Sequence, residues 1–254
     1  MSIRTICTTA LLGGVVGLAL TGTALAEEAK PKADLTTGFY SQYVWRGFAY
    51  SRDSLVIQPS MTVSHKGVAV SLWGNLDTEQ YTVDPTDSET SNFNETDLAL
   101  SCSGSAGKIG YSGGYIFYAL DGIKDSQEVY ATVSVDTLLA PNLTLSKEIT
   151  GYQGWYAKAA IGHTLELTKD IKLALGASAG YLDNEADYNE LHDGVLSASL
   201  AIPVAEYLTV SPQLYYSFPL SSKAKDFLKA ANSGVIDKSK ADFVYGGLAV
   251  NMAF

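Results

Sequence analysis

Apolar and polar residues alternate along most of this chain, and the stretch LVIQPSMTVS, residues 55–64, shows the pattern clearly. Successive side chains of a β-strand point to opposite faces of a sheet, so a period of two predicts a strand with one apolar and one polar face. The apolar face here comprises Leu55, Ile57, Met61 and Val63, and the polar face comprises Gln58, Ser60 and Thr62.

The same alternation predicts about twelve strands. Most have the roughly 9 to 11 residues that a tilted strand needs to cross a bilayer. No run after residue 26 is long and apolar enough for a membrane helix, so a membrane location would require strands. The strands are predicted near 34–45, 54–65, 67–77, 93–103, 107–119, 127–136, 142–150, 154–166, 170–182, 193–203, 206–218 and 242–254.

The connections between these strands alternate in length. If the first strand starts in the periplasm, the periplasmic connections are the short HKG, SGSAG, TLLAP, LTKD and VAE. The opposite connections are mostly longer and polar: 46–53, 78–92, 120–126, 151–153, 183–192 and 219–241. Short periplasmic turns and longer outer loops are typical of bacterial outer-membrane barrels.

A soluble sandwich or lipocalin-like barrel also alternates, but it buries its apolar face. The apolar faces of the predicted strands carry few charges, and aromatic residues gather at strand ends, which favours a membrane barrel. The predicted fold class is therefore all-β: a transmembrane antiparallel up-and-down β-barrel of about 12 strands.

Residues 1–26 have the features of a secretory signal peptide. Arg4 precedes an apolar run, and Ala24-Leu25-Ala26 forms a small-x-small cleavage site before EEAK. Residues 27–254 are predicted to form a single barrel domain. Export and this fold class together predict the outer membrane of a Gram-negative bacterium.

Charge and cysteine content narrow the class further. Loss of the signal peptide leaves 16 basic and 27 acidic residues, a formal charge of −11, which makes nucleic acid an unsuitable partner. It also leaves Cys102 as the single cysteine, so an internal disulfide framework is excluded.

The last strand ends in Phe254, preceded by Met252, Val250 and Leu248 at alternating positions. This ending resembles the terminal pattern of outer-membrane barrels, in which a final Phe on an amphipathic strand serves as the assembly signal. The resemblance implies the barrel-insertion machinery as a partner, together with outer-membrane lipid.

A second resemblance covers about the first fifth of the chain. The block Tyr-x-Trp-Arg-Gly at residues 43–47, followed by Trp-Gly-Asn at residues 73–75, is similar to the N-terminal signature of a group of conserved hypothetical outer-membrane proteins of proteobacteria. The resemblance implies the outer-membrane barrel class and no established activity.

Aromatic residues at strand ends are predicted to form girdles at the two membrane interfaces. The predicted girdle consists of Tyr43, Trp45, Phe117, Trp155, Tyr181, Phe218 and Phe243.

Charged residues on the inward parity are candidates for a selectivity-setting lumen. The acids are Asp77, Glu95, Asp97, Glu128, Asp136, Glu148 and Glu166, and the bases are Arg46, Lys108, Lys158 and Lys172. Rings of fixed charge would filter solutes. Alternatively, the charges pair with one another and plug a narrow barrel. Both interpretations remain open, and the excess of acids predicts a preference for cations if the lumen conducts.

Two loop features add to this picture. The loops DTEQYTVDPTDSET and DNEADYNELHD are rich in acids and offer oxygen ligands to divalent cations, although neither matches the twelve-residue calcium loop. In the segment 221–240, Phe227, Leu228 and Ala231 at helical spacing predict a short helix that folds into or over the mouth.

No convergent His, Ser or Asp set predicts catalysis, and His192 is read as an ordinary loop residue. The sequence predicts neither an enzyme nor a cofactor. It predicts a passive porin-like channel for small hydrophilic solutes. The alternative is a non-conducting structural or interaction barrel whose acidic outer loops bind ions, lipid headgroups or a partner.

Overall fold

A computed structural model of the protein describes residues 30–79, 91–151, 154–233, 235 and 239–254. It contains twelve long strands, a pair of two-residue strands and one helix. In chain order the elements are β1 (Lys32–Tyr40), β2 (Val44–Trp45), β3 (Phe48–Ala49), β4 (Val56–His65), β5 (Val68–Asp77), β6 (Asn92–Ala106), β7 (Ile109–Leu120), β8 (Ser126–Val135), β9 (Asn142–Glu148), β10 (Gly154–Glu166), β11 (Lys172–Asp183), β12 (Asn189–Ala205), β13 (Leu208–Pro219), α1 (Ser222–Asn232) and β14 (Phe243–Ala253).

The twelve long strands form a closed antiparallel barrel. Each pairs with the next long strand along the chain, and β1 pairs with both β4 and β14. The closing register runs from Asp34 opposite Ala253 to Tyr40 opposite Gly247. The prediction of a twelve-stranded, all-β, up-and-down barrel is confirmed.

The two ends of the barrel differ as the connection lengths predicted. One end, here called the turn end, carries the short connections and the first and last residues of the barrel. There the Ala33 N–H donates to the Phe254 carbonyl over 3.1 Å. At its β4–β5 turn Lys66 and Gly67 both have positive φ, the conformation of a two-residue hairpin turn. The other end, here called the loop end, carries the long connections and α1.

The outward face of the wall is apolar. On β11, Leu175 and Tyr181 are exposed, whereas their neighbours Ala174 and Gly180 are buried against the interior. The exposed side chains include Leu98, Leu100, Leu143, Leu196 and Leu214, each at least half exposed. A continuous apolar surface of this kind is stable when lipid covers it.

Among the described residues, no helix has the length and apolar character needed to span a membrane.

The first strand is shorter than predicted, and this changes the position of several aromatic residues. β1 ends at Tyr40, not near residue 45, and the chain then turns into the barrel. Tyr43 is therefore 8% exposed and packs in an interior cluster with the partly buried Trp45. Their assignment to a lipid-facing girdle is wrong, because the chain leaves the wall before it reaches them.

Phe243 was also wrongly assigned to the girdle. It pairs with the buried Ser217 and is 4% exposed, so it lies on the inward face of β14. Trp155 and Tyr181 are exposed at the loop end, and register places Phe117 and Phe218 on the outward face there.

At the turn end, the exposed rings of Tyr207 and Phe254 stack with their centroids 6.0 Å apart.

Candidate functional site

Residues 41–54, here called the inner hairpin, leave the wall and fold into the loop end of the barrel. The Tyr50 N–H donates to the Tyr43 carbonyl over 2.9 Å, and β2 and β3 pair beyond this bond. The turn consists of Arg46 and Gly47, with φ of 51° and 79°. Positive φ at both central residues is the geometry of a type I′ turn, which places Arg46 at the tip.

Helix α1 holds the inner hairpin from the chain's other end. The Asn232 side-chain carbonyl accepts from the Ala49 N–H over 2.9 Å, and its Nδ2 donates to the carbonyl of Gly47 and that of Lys240, each over 3.2 Å. A Cβ at Gly47 would lie 2.8 Å from Cδ1 of the fully buried Leu228. The predicted helix at this mouth is confirmed, and it packs directly on the hairpin.

His192 anchors the tip from β12. Its Nε2 lies 3.0 Å from the Arg46 carbonyl, and its Nδ1 lies 2.6 Å from the Tyr188 hydroxyl. A carbonyl only accepts, so Nε2 carries the proton and Nδ1 accepts from Tyr188. The ring also packs on Phe48, with centroids 5.3 Å apart. His192 is fully buried, so its interpretation as an ordinary loop residue is wrong.

The Arg46 guanidinium connects the tip to the opposite wall. Its Nη2 lies 2.7 Å from Glu128 Oε2, and its Cζ lies 4.0 Å and 4.1 Å from the ring centroids of Trp45 and Tyr156. The Tyr156 hydroxyl in turn donates to Asp193 Oδ1 over 2.9 Å. Arg46 was expected inside the barrel, but it arrives there on a hairpin and not on a wall strand.

Gly180 makes room for this contact. A Cβ there would lie 2.3 Å from Asp193 Oδ1 and 2.4 Å from the Tyr156 hydroxyl oxygen. A side chain at position 180 would therefore push the Tyr156 hydroxyl and the Asp193 carboxylate apart. Asp193, which the sequence placed in an outer loop, therefore belongs to the charged interior.

Three predicted lumen charges lie near the hairpin without an ion-pair partner among the described residues: Glu95, Asp97 and Lys158. Asp97 is 5% exposed, and its Oδ1 has no hydrogen-bond partner in the described part of the chain. Arg46 and Glu128 are therefore paired, whereas these three charges are not, and the filtering of solutes by the lumen charges stays a prediction.

The other predicted lumen residues are more dispersed. Asp77 is buried and accepts from the Ser54 hydroxyl over 2.8 Å. Glu148 accepts from Ser126 and, over 2.6 Å, from the Thr150 hydroxyl. These two carboxylates are therefore engaged by neighbouring loop and strand-end groups.

At the turn end, Lys172 and Glu166 lie 3.8 Å apart and are substantially exposed. Asp136 is not on the inward wall as predicted, because β8 ends at Val135 and Asp136 lies in the turn, where its N–H donates to the Lys108 carbonyl. Asp34, which was not among the predicted lumen charges, also faces inward, and its register partners are Ala253 and Thr62.

Two acids of the loop 183–193 bind basic and polar side chains of neighbouring elements. The Glu185 carboxylate binds Lys147 and accepts from the Trp155 indole over 2.9 Å, and the Lys147 contact holds the pKa of Glu185 below its usual range. Glu190 pairs with Lys223 of α1 over 2.8 Å. Among the described residues, no group of three His, Cys, Asp or Glu side chains is placed to hold a metal ion. Most of the other acidic loop, 80–90, lies outside the described residues.

Comparisons with known proteins agree with the architecture. No protein-family model matches the chain, and no curated protein matches it in sequence. The barrel is similar to the NanC porin, with a TM-score of 0.53 and 11% identity over 87% of this chain and 98% of that chain. It also matches an outer membrane channel from Pseudomonas putida F1, with a TM-score of 0.49 and 9% identity over 91% of this chain and 97% of that chain. The chain therefore shares the barrel fold of an outer-membrane porin.

Proposed function

We propose that the protein is an outer-membrane channel for the passive movement of small hydrophilic solutes, with the inner hairpin as its constriction. The observation that carries this proposal is the set of unpaired charges beside the hairpin, Glu95, Asp97 and Lys158. An isolated charge removed from water is strongly destabilising. Water or solute that reaches these side chains along the lumen would remove this cost, so their presence supports an open passage.

The charges around the hairpin also favour one sign of solute. Acidic side chains outnumber basic ones around the tip of the hairpin, where Glu95, Asp97, Glu128 and Asp193 face Arg46 and Lys158. Fixed negative charge in a narrow, low-dielectric passage raises the local concentration of cations. The channel is therefore proposed to prefer cations.

One observation favours a second candidate, a non-conducting barrel. The hairpin contacts the wall on well-separated strands, since the Trp45 ring lies 6.1 Å from that of Tyr118 on β7 and Phe48 lies 5.3 Å from His192 on β12. A hairpin that reaches across the barrel in this way could fill it. In that case the charges would stabilise the plug, and function would reside in the outer loops.

Single-channel recording of the refolded protein in a planar bilayer separates these candidates. We expect stepwise conductance and a reversal potential of cation-selective sign in a gradient near 0.1 M salt. The selectivity should weaken near 1 M, because the Debye length falls from about 10 Å to about 3 Å. Absence of conductance steps would support the non-conducting barrel, and anion selectivity would contradict the role given to the lumen acids.

The membrane orientation is tested separately. The loop end is proposed to face outside, so Asp187→Cys should react with an impermeant thiol reagent on intact cells, in a Cys102→Ser background. Lys66→Cys at the turn end should stay protected until the outer membrane is opened. The reverse pattern would invert the proposed orientation.

A further inference from the structure

Asp97 lies between two aromatic residues in one row of the inward face. Trp73 on β5 and Tyr118 on β7 are its direct register partners on either side. Side chains directly opposite each other on adjacent strands have their Cβ atoms about 5 Å apart. The carboxylate of Asp97 is therefore flanked by an indole and a phenol across three strands.

The inner hairpin adds two further rings to this row. Tyr43 packs against Trp73 with ring centroids 5.6 Å apart, and Trp45 packs against Tyr118 at 6.1 Å. Glu95, two residues before Asp97 on the same strand, faces the Tyr43 hydroxyl and the Asp97 carboxyl. The result is a group of four aromatic rings and two carboxyls. The wall contributes both carboxyls and two of the rings, and the hairpin contributes the other two rings.

Two bases near the tip of the hairpin, Arg46 and Lys158, face other charged groups. Arg46 pairs with Glu128, and the charges facing Lys158 are those of Arg46, Asp193 and Glu128. Asp97 keeps one oxygen, Oδ1, without a hydrogen-bond partner among the described residues, although the residue is 5% exposed. A buried, unpartnered carboxylate oxygen is costly unless a donor or a cation reaches it.

We infer that this group is a binding site for a small organic ammonium ion. The adjacent carboxyls of Asp97 and Glu95 supply negative charge as a pair, and the four aromatic rings supply apolar surface and cation–π attraction. A hydrated metal cation would use only the first of these. As an account of what the channel selects, the site rests on the proposed function; binding itself requires no conduction.

Isothermal titration of the full-length mature protein in detergent micelles tests the site, with choline as the probe. Its neutral isostere 3,3-dimethyl-1-butanol is the ligand control, because it has the same shape without the charge. We expect choline to bind and the alcohol to bind at least about tenfold more weakly. Equal binding of the two, or no choline binding, would overturn the inference.

Two variants locate the site. Asp97→Asn should weaken choline binding about tenfold or more, since it removes a charge-assisted contact. Asp34→Asn is the matched control, because it removes an inward carboxylate from the turn end, and it should leave choline binding unchanged. Unchanged binding in Asp97→Asn, or equal loss in both variants, would overturn the location.

A third variant is needed if Asp97→Asn does not fold. Folding is judged by the heat-dependent gel shift of an intact barrel, which an unfolded variant lacks. Trp73→Leu retains both carboxyls and should weaken choline binding about threefold more than it weakens binding of the alcohol, because only choline loses the cation–π attraction. Undiminished choline binding in this variant would overturn the aromatic site. Choline binding without channel conductance would support the binding site and contradict the proposed channel. Conductance without choline binding would support the channel and contradict the binding site.

Discussion

The two ends of the barrel interior use the same kinds of charged residue in different environments. At the loop end, Arg46 and Glu128 pair at 2.7 Å with side chains only 15% and 5% exposed, and aromatic rings surround them. At the turn end, Lys172 and Glu166 lie 3.8 Å apart with 34% and 74% of their side chains exposed. An ion pair inside this barrel is therefore enclosed where the inner hairpin packs on it and largely solvated where no such segment covers it.

The largest effect is expected when the buried pair loses one partner. Glu128→Ala leaves Arg46 uncompensated inside the barrel and should lower the free energy of unfolding by about 3 kcal/mol. Urea unfolding of the refolded protein in lipid vesicles measures it. Glu166→Ala at the turn end is the matched control, expected within about 0.5 kcal/mol of wild type. Equal costs at both ends would contradict the contrast.

The outward face is tested by a charge placed in lipid. Leu175→Arg, within the outward row of β11, should lower the free energy of unfolding by about 2 kcal/mol. Ser178→Arg, on the inward face of the same strand, should cost much less because that face is lined by polar side chains and not by lipid. The same unfolding measurement serves for both, and a larger loss for Ser178→Arg would show that water and lipid had been assigned to the wrong faces.

The anchoring of the inner hairpin is tested at Asn232. Asn232→Ala removes the acceptor of the Ala49 N–H and the donor to the Gly47 carbonyl, so it should cost about 1 kcal/mol or more. Ser233→Ala, at the exposed residue that follows, is expected within about 0.5 kcal/mol of wild type. Stability unchanged by Asn232→Ala would show that α1 does not hold the hairpin.

The smallest expected effect is at the outer rim, where Lys147 lowers the pKa of Glu185. Because the pKa of Glu185 is lowered, the contact with Lys147 contributes its full stability at pH values above the ordinary pKa of Glu, about 4.3. This stability is lost as the pH falls through the lowered pKa of Glu185. The Trp155 indole N–H donates to Glu185, so its NMR resonance should shift over that acidic range. The same resonance should not titrate in Glu185→Gln; a shift that persists there would assign the titration to another group.

The wall was predictable from sequence because each wall residue faces either the apolar exterior or the polar interior of the barrel, and this difference imposes a period of two. The same period of two continues into the inner hairpin, so the pattern does not reveal that the chain leaves the wall. Tyr43 and Trp45 continue the alternation of β1, so nothing in the pattern marks Tyr40 as the end of the wall strand. The only local indication is Gly47 after Arg46, which is a weak turn signal.

The residues that anchor the hairpin could not be predicted from the sequence for a different reason. His192 and Asn232 bond to Arg46 and Ala49 across 146 and 183 residues of chain, and no periodicity connects positions so distant. The inward acids were mostly predictable from parity. Which of them would be paired was not, because pairing depends on where the hairpin carries Arg46.

The most direct test of the central claim, that the inner hairpin constricts a conducting lumen, is the single-channel conductance of a hairpin-shortened protein. Residues 43–50 would be replaced by a short Gly-Ser linker, and only preparations that keep the heat-dependent gel shift of a closed barrel would be recorded beside wild type at the same salt concentration. The account predicts a larger conductance and a weaker cation preference, because the narrowest part of the lumen is widened. A conductance and selectivity equal to those of wild type would contradict it.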